Sequence, residues 1–238
     1  MKYQAVLFDL DGTLLPMHEP TFVACFYQAL VEYVSPKGAS PKQIGEVLKG
    51  SLEYVIKNDG ICSNRQAFIN FYDSYYNATG LRINIEDMEH FYATDFDSKV
   101  RSSCGYDPDA AQAVEFIKST KTPIVVATNP FFPRVATCVR LGWAGLDASD
   151  FCEITTYENY HYCKPNIHYY QELFERTGFD PEKCLMVGNN VNEDMIANQL
   201  GCDVYLITRN LIKHEDQDIS NYKQGDFLSL LSYLHTCK

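Results

Sequence analysis

The chain has 238 residues, 46% of them apolar and 21% charged, with a formal net charge of −11. That length suits one core domain carrying a sizeable insertion, or two small domains, and no apolar run approaches a membrane span. The acidic balance argues against nucleic acid or an anionic membrane as the main partner, but a small anionic substrate needs only a few local cations.

In chain order, "MKYQAVLFDLDG" opens with a short apolar run that meets acids at once and has no small-residue cleavage site. It reads as a first strand over 5–8 and not as a signal peptide. From about 17 to 100 only helical spacing occurs. Phe22, Phe26, Leu30 and Tyr33 recur every three or four residues, as do Ile44, Val47, Leu48, Leu52 and Val55, then Phe68, Phe71, Tyr72 and Tyr75, then Ile85, Met88 and Tyr92. Such stripes are helix-packing faces. Helical patterns at 108–119, 131–142, 166–178 and 192–201 then alternate with apolar runs at 124–127, 185–187 and 204–207, with a weaker strand candidate at 151–157. The runs are continuous, as in strands buried on both faces.

Strand alternating with helix predicts an α/β core, a doubly wound, mostly parallel sheet with right-handed crossovers. Its predicted extent is 1–16 and 101–238, with an inserted α-helical domain at 17–100 over the carboxyl edge of the sheet. The nine cysteines are scattered and no Cys-x-x-Cys pair occurs. Reduced thiols in a cytoplasmic protein are the expectation, without structural zinc or a disulfide framework.

A polar oxygen follows each of three buried runs: Asp9 after the first, Thr128 after the second, Asn189 after the third. In an open parallel sheet, ligands bind outside the carboxyl ends of the strands, so these three are expected to meet. Asp9 and Asp11 are two apart, which in extended chain points both carboxylates the same way. A turn at Asp11-Gly12 accounts for Asp11. It does not account for Asp9, whose charge directly continues a buried strand and calls for a hard cation or a basic partner.

"DLDGTL" resembles the first motif of the haloacid dehalogenase (HAD) superfamily. "VVATN" is similar to the second, "KP" at 164–165 to the third, and "VGNNVNED" to the fourth, all in order. The resemblance covers the whole core, implies a Rossmann-like sheet, and matches the insertion to the family's type-one helical cap, as in its phosphoglycolate phosphatase-like members.

The resemblance implies a nucleophile in Asp9, which forms an aspartyl-phosphate, and an acid and base in Asp11. It implies Lys164 as the neutralising cation, also binding phosphate, with Thr128 and the Asn129 main-chain N–H beside it. Asn129 and Pro130 also read as a helix N-cap and first position. Mg²⁺ is the implied cofactor, on the Asp9 carboxylate, the Asp11 carbonyl, and Asn189 or Asp194. Asn189 stands where many relatives have Asp. Asp194 also fits a role orienting Lys164, or a plain first-turn acid; Glu193 substitutes for it if the helix starts one residue differently, and Asn190 and Asn192 read as turn and cap residues. "DGTLLPMH" departs from the family's usual "DGTLxDS", which weakens any transfer of substrate identity. Lys49, Lys57, Arg65 and Arg82 are the available cap cations. His18 receives no role, and the tyrosines of "TTYENYHYCKP" read as packing.

The expected function is a Mg²⁺-dependent phosphatase acting on a small phosphorylated metabolite, as a cytoplasmic monomer or weak homodimer. A phosphosugar mutase of β-phosphoglucomutase type shares the core; a dehalogenase usually lacks the second acid, and a non-catalytic module would have lost Asp9, Asp11 or Lys164.

Overall fold

The computed structural model describes residues 1–81 and 84–237. Among these, six parallel strands form one sheet in the order β3-β2-β1-β4-β5-β6: β1 (Ala5–Phe8), β2 (Ile124–Val126), β3 (Glu153–Ile154), β4 (Cys184–Gly188), β5 (Asp203–Ile207) and β6 (Lys223–Gly225). The winding reverses between β1 and β4, the kind of switch point that opens a crevice at the carboxyl ends. Alternate residues enter two separate apolar clusters. Val6, Phe8, Val126 and Val187 face one, and Ala5, Leu7, Val125 and Met186 face the other. That double burial is why the runs are continuous.

Between β1 and β2 lie α1 (Glu19–Val34), α2 (Pro41–Ile56), α3 (Asn64–Thr79), α4 (Ile85–Thr94), α5 (Phe96–Val100) and α6 (Pro108–Ser119); α5 was not expected from the spacing. The predicted stripes are the packed faces: Phe22, Phe26, Ile44, Phe68, Met88 and Tyr92 are all buried. The N-terminus of α3 is docked on the chain beyond β3. Asn64 N–H donates to Tyr160 O at 2.8 Å and Arg65 N–H to Tyr157 O at 2.7 Å, which satisfies two amides a helix start leaves without partners.

After β2 come α7 (Arg134–Trp143), α8 (Ile167–Thr177) and, at the end, α9 (Phe227–Thr236). Two sequence expectations need correction. The helix placed at 131–142 begins at Arg134, because Pro133 disfavours helical backbone at Phe132. Asn129 is therefore no helix cap. The segment 192–201 is not an α-helix but a 3₁₀ turn at Met195–Leu200. Asn190 Oδ1 takes the N–H groups of Asn192 and Glu193 at 3.0 and 3.3 Å, and Gly201 ends the turn with φ +87°, which leaves too little chain for α-helix. The 151–157 candidate contributes only the two residues of β3. No helix of the described residues is long and apolar enough to cross a membrane.

Candidate active site

Phe8 is in register with Val126 and Val187, so β1, β2 and β4 release the chain at one level. Asp9, Asp11, Thr128, Asn129, Asn189 and Asp194 line one cavity of about 650 Å³, and Lys164 is fully buried against two of them. All seven predicted site residues thus come together.

Lys164 Nζ donates to Asp9 Oδ1 at 3.1 Å and to Asp194 Oδ1 at 2.6 Å. Burial opposes the ammonium charge, but Asp194 and Asp9 outweigh it and hold the group well above its ordinary range. One cation serves two acids. Burial accordingly pushes the Asp194 carboxyl up to about 7, against the pull of Lys164. Its Oδ2 accepts from Asn190 N–H at 2.9 Å, so the carboxylate holds Lys164 Nζ with one oxygen and the chain after β4 with the other. A Cβ on Gly188 would stand 2.2 Å from the Asp194 carboxylate, so only glycine lets that acid close over the strand end.

Asn129 holds Lys164 by its main chain: Oδ1 accepts from Lys164 N–H at 3.2 Å and Nδ2 donates to Lys164 O at 3.3 Å. Nδ2 also reaches Glu193 Oε2 at 3.1 Å. The Thr128 carbonyl accepts from the hydroxyls of Thr155 and Tyr169 at 2.6 and 3.0 Å, which fixes the peptide entering the site.

Thr13, which sequence reasoning passed over, joins two of the oxygens. Its Oγ1 lies 3.1 Å from Asp9 Oδ2 and 3.0 Å from Asn189 Oδ1, and its single proton serves one of them at a time. Asn189 Nδ2 donates to Asn210 O at 2.6 Å, which aims the amide oxygen inward. Gly12 has φ +90°, and a Cβ there would meet Asn189 Nδ2 at 2.5 Å. Among the described residues, no three His, Cys, Asp or Glu side chains form a metal cage. The neighbouring Asp9 and Asn189 oxygens nonetheless suit Mg²⁺, which keeps several waters and is held by one or two carboxylates plus substrate phosphate.

The residue most clearly missed is Arg140. Its Nη1 donates to Asp11 Oδ2, its Nη2 to Thr137 Oγ1 at 3.3 Å, and its guanidinium lies 4.1 Å from the centre of the Phe132 ring. Its sequence signal was a charge on the buried stripe of Ala136, Thr137 and Leu141. Asp11 keeps 28% of its side-chain surface, yet its Oδ1 is enclosed and has no hydrogen-bond partner among the described residues. Burial raises the Asp11 carboxyl above its ordinary range, with Arg140 opposing and Asp9 adding to the shift.

Of the cap cations among the described residues, Lys49, Lys57 and Arg65, none lines the cavity. Lys49 pairs with Glu53 at 3.8 Å and Arg65 with Glu89 at 2.7 Å, Lys57 is exposed, and Arg82 lies outside the described residues. The tyrosines are structural: Tyr157 OH donates to Glu89 at 2.7 Å and Tyr160 packs on Tyr169.

Compared with known proteins, residues 3–201 match the family model of the haloacid dehalogenase-like hydrolases. A stretch of 66 residues is 36% identical to glyceraldehyde 3-phosphate phosphatase of Methanothermobacter thermautotrophicus, covering 27% of this chain and 29% of that protein. Among solved structures, a HAD phosphatase from Thermococcus onnurineus is similar over 97% of both chains, with TM-score 0.60 and 20% identity. A predicted phosphoglycolate phosphatase from Haemophilus somnus 129pt is similar over 98% of this chain and 99% of its own, with TM-score 0.58 and 18% identity. An L-2-haloacid dehalogenase shares the fold equally, with TM-score 0.58 and 14% identity over 98% of each chain.

Proposed function

The chain belongs to the haloacid dehalogenase-like hydrolases, and from that premise we propose that it is a Mg²⁺-dependent phosphatase that hydrolyses a small phosphomonoester through an aspartyl-phosphate. The observation that carries this reading is Asp9 itself: a carboxylate at the end of a buried strand, on the cavity wall, with Lys164 Nζ at 3.1 Å. In this reading 17–100 is the cap domain over a core of 1–16 and 101–238.

Asp9 attacks phosphorus and displaces the alkoxide, which takes its proton from Asp11. The raised carboxyl of Asp11 suits it to hold that proton. Asp11 then takes a proton from water, which attacks phosphorus, releases phosphate and restores Asp9. Lys164 offsets the charge on Asp9, while Thr128 and the Asn129 main chain sit where they can hold the phosphoryl oxygens. Asp9, the Asp11 carbonyl and Asn189 would hold Mg²⁺, which would supply charge neutralisation for the incoming dianion. The second acid, Asp11, favours phosphate transfer over dehalogenation.

The test is phosphate release from a panel of phosphomonoesters with Mg²⁺ and with EDTA, for the wild type and Asp9→Asn. Mg²⁺-dependent release that Asp9→Asn abolishes is expected. Full activity in Asp9→Asn would sink the proposal, and an isomerised sugar phosphate without free phosphate would indicate a mutase.

A further inference from the structure

The cavity is larger than a phosphoryl group needs, and the wall facing Asp9 and Asp11 is apolar. Val23, Leu48, Leu52, Phe68, Met88 and Phe131 all line it. Its volume of about 650 Å³ falls in the range of pockets that enclose a ligand of substantial size. The polar side chains of that wall are few: Ser51, whose Oγ donates to Leu48 O at 3.1 Å, and the largely buried Tyr72 and Tyr92.

The charges around it are unfavourable to a second anion. Among the described residues, no basic side chain of α1–α5 lines the cavity. The remaining cation on the wall, Arg209, is bound to Asp107 at 2.6 Å. Glu19 and Glu193 also line the cavity, beside His18, whose Nδ1 is bonded to Thr21 Oγ1 at 2.8 Å, so a carboxylate on the leaving group would meet more acid than base among the described residues. A polyhydroxylated leaving group would lose water to aliphatic and aromatic walls and recover few hydrogen bonds.

We infer that the natural substrate carries an apolar leaving group: an alkyl or aryl phosphomonoester, whose phosphate sits over Asp9 and whose hydrocarbon portion fills the space between α1–α4 and Phe131. This rests on the phosphatase reading and names its substrate class. Phosphorylated acids such as phosphoglycolate are disfavoured by the acids of the same cavity.

The n-alkyl phosphates from ethyl to hexyl test it, because chain length changes the apolar contact while the leaving-group chemistry stays nearly constant. With the full chain and Mg²⁺, kcat/KM should rise about fourfold per methylene. Hexyl phosphate should exceed phosphoglycolate and glucose 6-phosphate by about tenfold or more. A flat profile, or phosphoglycolate or glucose 6-phosphate at or above hexyl phosphate, overturns the inference. Acetyl phosphate separates the two failures. If it is hydrolysed while chain length has no effect, only the substrate class is wrong. If none of these phosphates is hydrolysed, phosphoglycolate and glucose 6-phosphate included, the phosphatase reading fails as well. Leu52→Lys, at a half-buried wall position, should lower the ratio of hexyl phosphate to phosphoglycolate by about tenfold. That ratio is read within one preparation, so partial misfolding does not move it; an unchanged ratio counts against the inference.

Discussion

Arg140 and Asp11 form an ion pair across 129 residues of chain, Nη1 to Oδ2, with the arginine fully buried. The guanidinium also lies on Phe132, whose ring packs against Phe22, Phe26 and Tyr92. The position of Asp11 is thereby tied to the aromatic contact between α1, α4 and the loop before α7.

Arg140→Met is expected to act through Asp11 and so to discriminate between leaving groups. General acid catalysis is worth about 10²–10⁴, and a misplaced acid forfeits part of it. For ethyl phosphate, kcat should fall about tenfold to hundredfold. For p-nitrophenyl phosphate, whose leaving group departs without a proton, it should fall less than about threefold. Arg140→Lys should recover little, since lysine lacks the planar fork. Equal losses on both substrates would make Arg140 a structural residue only.

Asn189→Asp is expected to separate metal binding from stability. The added charge beside Asp9 should lower the Mg²⁺ concentration for half-maximal phosphate release by roughly tenfold. The same change removes the donor to Asn210 O and leaves two acceptors face to face, costing about 1–2 kcal/mol in EDTA. Thermal melts with and without Mg²⁺ read both effects: a lower Tm in EDTA and a larger upward shift on adding metal.

The strands of the sheet's centre were legible because β1, β2, β4 and β5 are covered on both sides, and burial wrote continuous apolar runs. The edges were not. β3 contributes two residues and β6 reads "KQG", exposed and polar, held by register with β5 alone. The strand-end logic located Asp9, Thr128 and Asn189, since it depends on topology. Side-chain partners do not. Thr13 and Arg140 meet Asn189 and Asp11 through contacts 176 and 129 residues apart, beyond any local pattern. The segment 192–201 reads as an α-helix in the sequence, but the side chain of Asn190 takes the N–H groups of Asn192 and Glu193.

Glu89 links α4 to α3 and to the chain after β3, accepting from Arg65 Nε and Tyr157 OH, each at 2.7 Å. The Arg65 bond, with help from Tyr157, holds its carboxyl below the ordinary range against partial burial. A depressed pKa stabilises the fold above the unfolded value, and the contribution is lost as pH falls through the folded one. Glu89→Gln should cost about 1 kcal/mol at pH 7, after allowing for solvent screening. The Tm gap to wild type should stay constant down to about pH 5 and close below the ordinary glutamate value of about 4.3. A gap that widens with acid would contradict this.

Asp194→Asn tests the two-acid, one-cation cluster. The carboxylate answers two donors, Lys164 Nζ and Asn190 N–H, with one oxygen each. An amide has one oxygen, so its NH₂ must face one of those donors. Lys164 then has Asp9 as its one anionic partner, and kcat should fall about tenfold to hundredfold with little change in KM. The stability effect has the opposite pH sense to that of Glu89. Burial raises the Asp194 carboxyl to about 7, so between its unfolded value of about 3.9 and about 7 the native state binds more protons than the unfolded chain. Asp194 therefore contributes most at low pH and least above 7, where it is buried as an anion. In EDTA, the loss of Tm in Asp194→Asn should be largest near pH 4 and shrink as pH rises through that window. A loss that grows toward pH 8 would mean that the ionised pair with Lys164, and not the neutral acid, is what the fold stabilises.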